Sequence, residues 1–232
     1  MSRIIVTTGA EANRWAEQFC RRPSWSRGPG MPAVTETRRL EIVHAANRAG
    51  IVAGVTRAAM YAGAGGEVIY SIGHGNAASV GANAQLGPSH DFTVTQNILR
   101  ADASGHYGDP RGPTGRVTLS EADQAINTDF RSIGAALVAG NVRRFTFLVC
   151  VLGRNLTFLN AIRAAWGNRI EVAGYTAFVA TCTYTQTGDR TYPRTAQYLT
   201  RDAGGQDIIH GTDSEPATFL ELPPETFLTV AR

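Results

Sequence analysis

GEVIYSIGHG, residues 66–75, is the stretch on which the rest of the chain turns. Val68, Ile69, Tyr70 and Ile72 make a compact apolar strand. It runs straight into Gly73, His74 and Gly75. Glycines on both sides of a histidine let the backbone turn sharply and let another backbone come close. A second segment, RRFTFLVCVLG at 143–153, has the same construction. An apolar strand over 143–150 closes on Cys150, and Gly153 follows three residues later. In open α/β sheets, ligands gather beyond the carboxyl ends of the strands, where loops leave toward helices. If these two strands are neighbours, His74 and Cys150 emerge on the same edge.

The elements around them alternate. RIIVTT at 3–8 is a β-branched run without charge after Arg3, the pattern of a buried strand. Residues 9–22 have helical character, and a Pro/Gly/Ser-rich loop follows at 22–32. A brief second strand is expected at 33–35. Leu40, Ile42, Val43, Ala46, Ile51, Val52 and Val55 recur at three- and four-residue spacing. That spacing predicts one long helix over 37–61, broken at Gly50 and Gly54 and ended by GAGG at 63–66. Residues 76–113 read as a long excursion with little regular structure, apart from a strand in DFTVTQNIL at 91–99. A helix over 120–139 starts at Ser120, with Glu121 and Asp123 in its first turn. LTFLNAIRAAW at 156–166 is the next helix and IEVAGYTAFVA at 170–180 the next strand. CTYTQTGDRTYPRTAQYLT at 182–200 predicts a hairpin turning at Gly188-Asp189. FLELPPETFLTVAR at 219–232 holds two extended pieces around Pro223-Pro224.

Strand and helix in alternation define an α/β domain with a largely parallel central sheet. One domain spans 1–232, with a loop insertion near 76–117 and a β-rich C-terminal extension near 181–232.

Composition bounds the function. The chain has 232 residues, 43% hydrophobic and 18% charged, which is globular rather than disordered. No apolar run reaches the about 18–20 residues of a membrane span. The N-terminus lacks a small-residue cleavage site, so no secretory signal is expected. The expected compartment is the cytoplasm. All 22 basic residues are Arg and none is Lys. A GC-rich genome accounts for this, as does an effector delivered into another cell, where lysine would be the site of ubiquitin tagging. Either way, no catalytic lysine, Schiff base or Walker-type lysine exists.

Three cysteines, Cys20, Cys150 and Cys182, cannot all pair within the chain, so a disulfide scaffold is not expected. No CxxC or HExxH pairing occurs, and neither a metal nor a cofactor is expected. GAGG precedes a strand and the GxGxxG spacing is missing, which argues against a Rossmann oxidoreductase. The Arg pairs 21–22, 38–39 and 143–144 are scattered among acids, so no specific nucleic-acid partner is expected. His210 in IIHG is the substitute should His74 fail. His44, His90 and His106 read as solvated.

A thiol beside an imidazole supplies nucleophilic attack and leaving-group protonation. The amides of Gly75 and Cys150 converge on the same edge, where a developing oxyanion needs donors. An apolar strand then GHG, a helix, and an apolar strand then Cys-x-x-Gly resembles the caspase-like cysteine peptidases, in the GHG form of the CHAT-type members. The resemblance runs over about residues 3–180 by order of elements. It implies a three-layer sandwich, a His74/Cys150 dyad, and an oxyanion hole at Gly75 and Cys150. It also implies a protein or peptide substrate, with room for a regulatory partner. Its first specificity pocket falls at 8–11 and 174–176, which nominates Glu11 and Tyr175 for substrate binding and a basic side chain as the preferred substrate residue. Glu11 also fits the first turn of a helix, where an acid is favoured. Val149 stands where family members place a small residue, and the segment between His74 and Cys150 is long. The alternative is therefore a non-catalytic binding or structural module on the same fold.

Overall fold

The computed structural model describes residues 2–7, 36–41, 47–71, 75–76, 81–87, 90–109, 115–176, 178–182, 195–201, 207–210 and 228–232. The central sheet has six strands: β1 (Ser2–Thr7), β2 (Glu36–Glu41), β3 (Glu67–Ser71), β9 (Arg144–Phe147), β10 (Glu171–Tyr175) and β14 (Leu228–Ala231). Between β3 and β9 lie β4 (Gly75–Asn76), β5 (Asn83–Gln85), β6 (Thr93–Thr95), β7 (His106–Gly108) and β8 (Arg116–Thr118). Between β10 and β14 lie β11 (Phe178–Cys182), β12 (Thr195–Arg201) and β13 (Asp207–His210). The spatial order of the central sheet is β14-β10-β9-β3-β1-β2. Its first five strands in chain order are parallel, and β14 runs antiparallel against β10. The α/β class and the mostly parallel sheet follow as expected.

Register sorts the side chains into two faces. Ile4, Val68, Phe145 and Val172 align across four strands, as do Val6, Tyr70 and Phe147. Three helices pack on this face: α1 (Arg48–Ala62), α3 (Glu121–Ala139) and α4 (Leu156–Ala165), the short α2 (Gln96–Arg100) lying between α1 and α3 in sequence. Their Ile51, Val55, Phe130, Ile133, Phe158 and Ile162 join the sheet residues in one core. Trp166 closes it, stacked on Phe130 and edge-on to Phe145. Its indole N–H donates to the Phe130 carbonyl at 3.0 Å. Gly134 of α3 makes room for that ring, because a Cβ there would sit 2.1 Å from Trp166 Cδ1. Gly134→Ala is expected to lose about 1–3 kcal/mol in urea denaturation through overpacking, outweighing its helix-propensity gain of about 1 kcal/mol.

The opposite face is buried too, but its first row is charged. Arg3, Glu67, Arg144 and Glu171 align across β1, β3, β9 and β10. Arg3, Glu67 and Arg144 have no exposed surface. Arg3 Nε donates to Glu67 Oε2 at 2.9 Å, and Thr146 Oγ1 donates to Glu67 Oε1 at 2.7 Å. Arg144 donates twice to Glu171 Oε2, at 3.0 and 3.1 Å. The next row, Ile5, Ile69, Thr146 and Ala173, is fully buried.

Several local expectations need correction. Residues 37–41, expected as helix, form β2 alongside β1. Leu40 belongs to the helical spacing, but parallel pairing outweighs it. The helix is capped by Asn47, whose Oδ1 accepts the Gly50 amide at 2.9 Å, and it runs unbroken through Gly50 and Gly54; residues 42–46 of the expected helix lie outside the described residues. It ends as read, at Gly63 with φ +61°. The α3 start at Ser120 also stands, with the Ser120 hydroxyl accepting the Asp123 amide at 3.1 Å. The insertion is better structured than expected. β4, β5 and β6 form a three-stranded sheet, β7 and β8 a hairpin, and Ala84, Leu86, Phe92 and Val94 reach the core. Gln96–Arg100 is helix rather than strand, since the Thr95 hydroxyl caps the Ile98 amide. Residues 170–180 are two strands: β10 in the central sheet and β11 in a separate antiparallel sheet with β12 and β13. β11 and β12 pair as the predicted hairpin, and the 188–189 turn lies outside the described residues. The helix at 9–22, the strand at 33–35 and the Pro223-Pro224 region also lie outside them. Among the described residues, no helix is long and apolar enough to cross a membrane.

Candidate functional site

β3 and β9 are adjacent and parallel, so the chain leaves both on the same edge of the sheet. The ladder carries one step past β9, where the Leu148 amide donates to the Tyr70 carbonyl at 2.8 Å. Strand β9 therefore ends at Phe147, and Cys150 sits three residues beyond it on a turn, not on the strand itself. That is a correction to the strand expected over 143–150. A residue on this turn is freed from the ladder and stands at the edge. Cys150 is half-buried, between buried Val149 and half-buried Val151.

From β3 the chain returns to the same place. His74 lies outside the described residues, but its successor Gly75 does not. A Cβ on Gly75 would meet Val149 Cγ2 at 2.6 Å, the Cys150 carbonyl oxygen at 3.0 Å and Leu152 Cβ at 3.2 Å. Residue 75 thus touches the cysteine turn, and only a glycine fits there without displacing it. The insertion holds Gly75 in position. Gly75 pairs with Ala84 across β4 and β5, and the Tyr70 hydroxyl of β3 donates to the Leu86 carbonyl just past β5. Burial drives the Tyr70 phenol well above its ordinary pKa of 10.0, so it remains a donor.

On its far side the cysteine turn is wedged against β10. Gly153 is buried, and a Cβ there would lie 2.1 Å from the Gly174 carbonyl oxygen and 2.8 Å from the Tyr175 carbonyl carbon. Arg154 Nε donates to the Thr176 carbonyl at 2.6 Å. Backbone cannot swing aside as a side chain can. Gly153→Ala is therefore expected to lift the turn off β10 and lower the thermal midpoint, with a loss of about 1–3 kcal/mol. An unchanged midpoint would show that the turn is not seated there.

Of the nominated residues, Gly75 and Cys150 are brought together. Tyr175 ends β10 beside Gly153, with its side chain fully buried. Glu11, like His74, lies outside the described residues. His210 is placed in β13, opposite Tyr198 of β12. His106 is in the β7–β8 hairpin near Asp102, whose carboxylate accepts the Ser104 and His106 amides at 2.8 and 3.1 Å. These bonds, the His106 amide foremost, hold the Asp102 carboxyl below its ordinary pKa. Two features of the cysteine turn had not been legible. One is the Gly153–Gly174 crossing, for which the lone signal is the glycine three residues after Cys150. The other is Val151, which takes left-handed φ 48°, ψ 5° with no local sequence signal at all.

No family model, curated protein or solved structure matches this chain.

Proposed function

We propose that the protein is a cysteine-dependent hydrolase, an endopeptidase of the caspase-like kind with a His74/Cys150 dyad. One observation carries this: Gly75, next to His74, is in contact with the Cys150 turn across the carboxyl edge of two adjacent parallel strands. Burial of both faces of the central sheet supports the three-layer architecture that belongs to the same proposal.

In this mechanism the Cys150 sulfur, as thiolate, attacks the scissile carbonyl carbon and forms a C–S bond. The carbonyl electron pair moves onto oxygen, and the amides of Gly75 and Cys150 stabilise that oxyanion. His74 gives its proton to the leaving amine as the C–N bond breaks. Water then attacks the thioester, loses a proton to His74, and releases the carboxylic acid with Cys150 regenerated. Glu11 would select a basic side chain in the substrate. The substrate is a protein or peptide, and the reaction needs no metal or cofactor.

Thiol chemistry separates this reading from a non-catalytic module. At neutral pH, iodoacetamide is expected to alkylate Cys150 in the folded protein much faster than a free model thiol, and His74→Ala is expected to remove the excess rate. A thiol that reacts only after denaturation would assign the fold to a binding or structural module.

A further inference from the structure

We propose that Val151 is a positioning residue for Cys150, acting through its left-handed backbone; this rests on the catalytic reading above. Three described non-glycine residues have positive φ: Asn141, Val151 and Asn168. Asn141 and Asn168 are of the type that tolerates this conformation, and each follows a helix end. Val151 is of the type that tolerates it least, because a β-branched side chain crowds its own backbone there. Such strain persists only where the surroundings over-determine it.

Here they do so from both sides. Upstream, the Leu148 amide is fixed to the Tyr70 carbonyl, and Gly75 touches the Cys150 carbonyl. Downstream, Gly153 is wedged on the Gly174 backbone and Arg154 is tied to Thr176. Four residues, Val149 to Leu152, lie between the Leu148 and Gly153 anchors, and Val151 is the one that takes positive φ. The Val151 carbonyl then accepts the Arg154 amide at 3.0 Å, closing the turn. A cysteine immediately before this step is held toward Gly75 instead of continuing along β9.

The test compares Val151→Gly with Val151→Asn in the full chain. Glycine fits the left-handed step but does not enforce it, whereas asparagine favours it without a branched Cβ. Two measurements are read. Hydrogen exchange at the Arg154 and Asn155 amides, bonded to the Val151 and Leu152 carbonyls, reports whether the turn holds. The rate of Cys150 alkylation at neutral pH reports whether the sulfur is positioned. Val151→Gly is expected to lose protection at those two amides and to slow alkylation by at least about tenfold. Its thermal midpoint should be unchanged or raised. Val151→Asn is expected to restore both readouts. Unchanged alkylation in Val151→Gly, or an equal loss in Val151→Asn, would overturn the proposal. If wild-type Cys150 itself reacts no faster than a model thiol, the catalytic reading fails. Hydrogen exchange then decides alone: protection lost in Val151→Gly and restored in Val151→Asn supports the turn-holding role, and unchanged protection overturns it.

Discussion

Glu67→Ala is expected to unfold at a much lower urea concentration than the wild type, with a loss of about 3–5 kcal/mol. Glu67 is fully buried and accepts from Arg3 and from Thr146. Arg3 has no exposed surface, so removing the carboxylate takes a 2.9 Å ion-pair partner from a guanidinium in a medium that solvates charge poorly. A single domain has only about 5–15 kcal/mol to lose. Replacing both partners by leucine should recover part of the loss, because the buried pair is then removed as a whole. Asp129→Ala is the contrast: its pair with Arg48, 3.3 Å apart and about a third exposed on each side, is worth under about 1 kcal/mol. An equally small effect at Glu67 would mean that the charged row is reached by water.

Cys150→Ala and His74→Ala are each expected to reduce hydrolysis of a protein substrate by several orders of magnitude, with thermal midpoints close to wild type. Residues that act as one unit lose nearly everything when either is removed, so the double variant should be little worse than either single one. The discriminating measurement is cleavage of a peptide library by the three variants, followed by circular dichroism to establish that each is folded. Full activity in either single variant would refute the dyad. Retained activity in His74→Ala but not Cys150→Ala would move the proton-transfer role to another group, with His210 the first to replace.

The contact between the two halves of the candidate site was partly legible in advance. The strands ending in GHG and in Cys150 are recognisable from VIY and FTF, because a buried parallel strand has to be continuously apolar. That they are neighbours is not written in either segment. It follows from strand order, which places β3 beside β9 although the insertion and helix α3 lie between them in sequence. The insertion itself carries no periodic signal in the sequence. Its strands are two or three residues long, too short for a periodic signal, and they form because Tyr70 and the core draw them in. β2 is hidden for a related reason: in TRRLE only Leu40 belongs to the helical spacing read over 37–61, and pairing with β1 makes the segment a strand.

By itself, the sequence determined the alternation of strands and helices, the caps at Ser120 and Gly63, and the apolar faces that demand a common core. These are local or periodic properties, set by side-chain sterics and by which residues avoid water. It also carries a charge pattern: four central strands have Arg3, Glu67, Arg144 and Glu171 at their first or second residue, alternating in sign. Tertiary structure alone decided that these charges share one buried row, since register is a relation between strands. It likewise decided that Gly75 rests on the Cys150 turn, that Gly153 crosses Gly174, and that Val151 is held left-handed. Each of these depends on backbone approaching backbone across long stretches of chain, a fit that no single segment encodes.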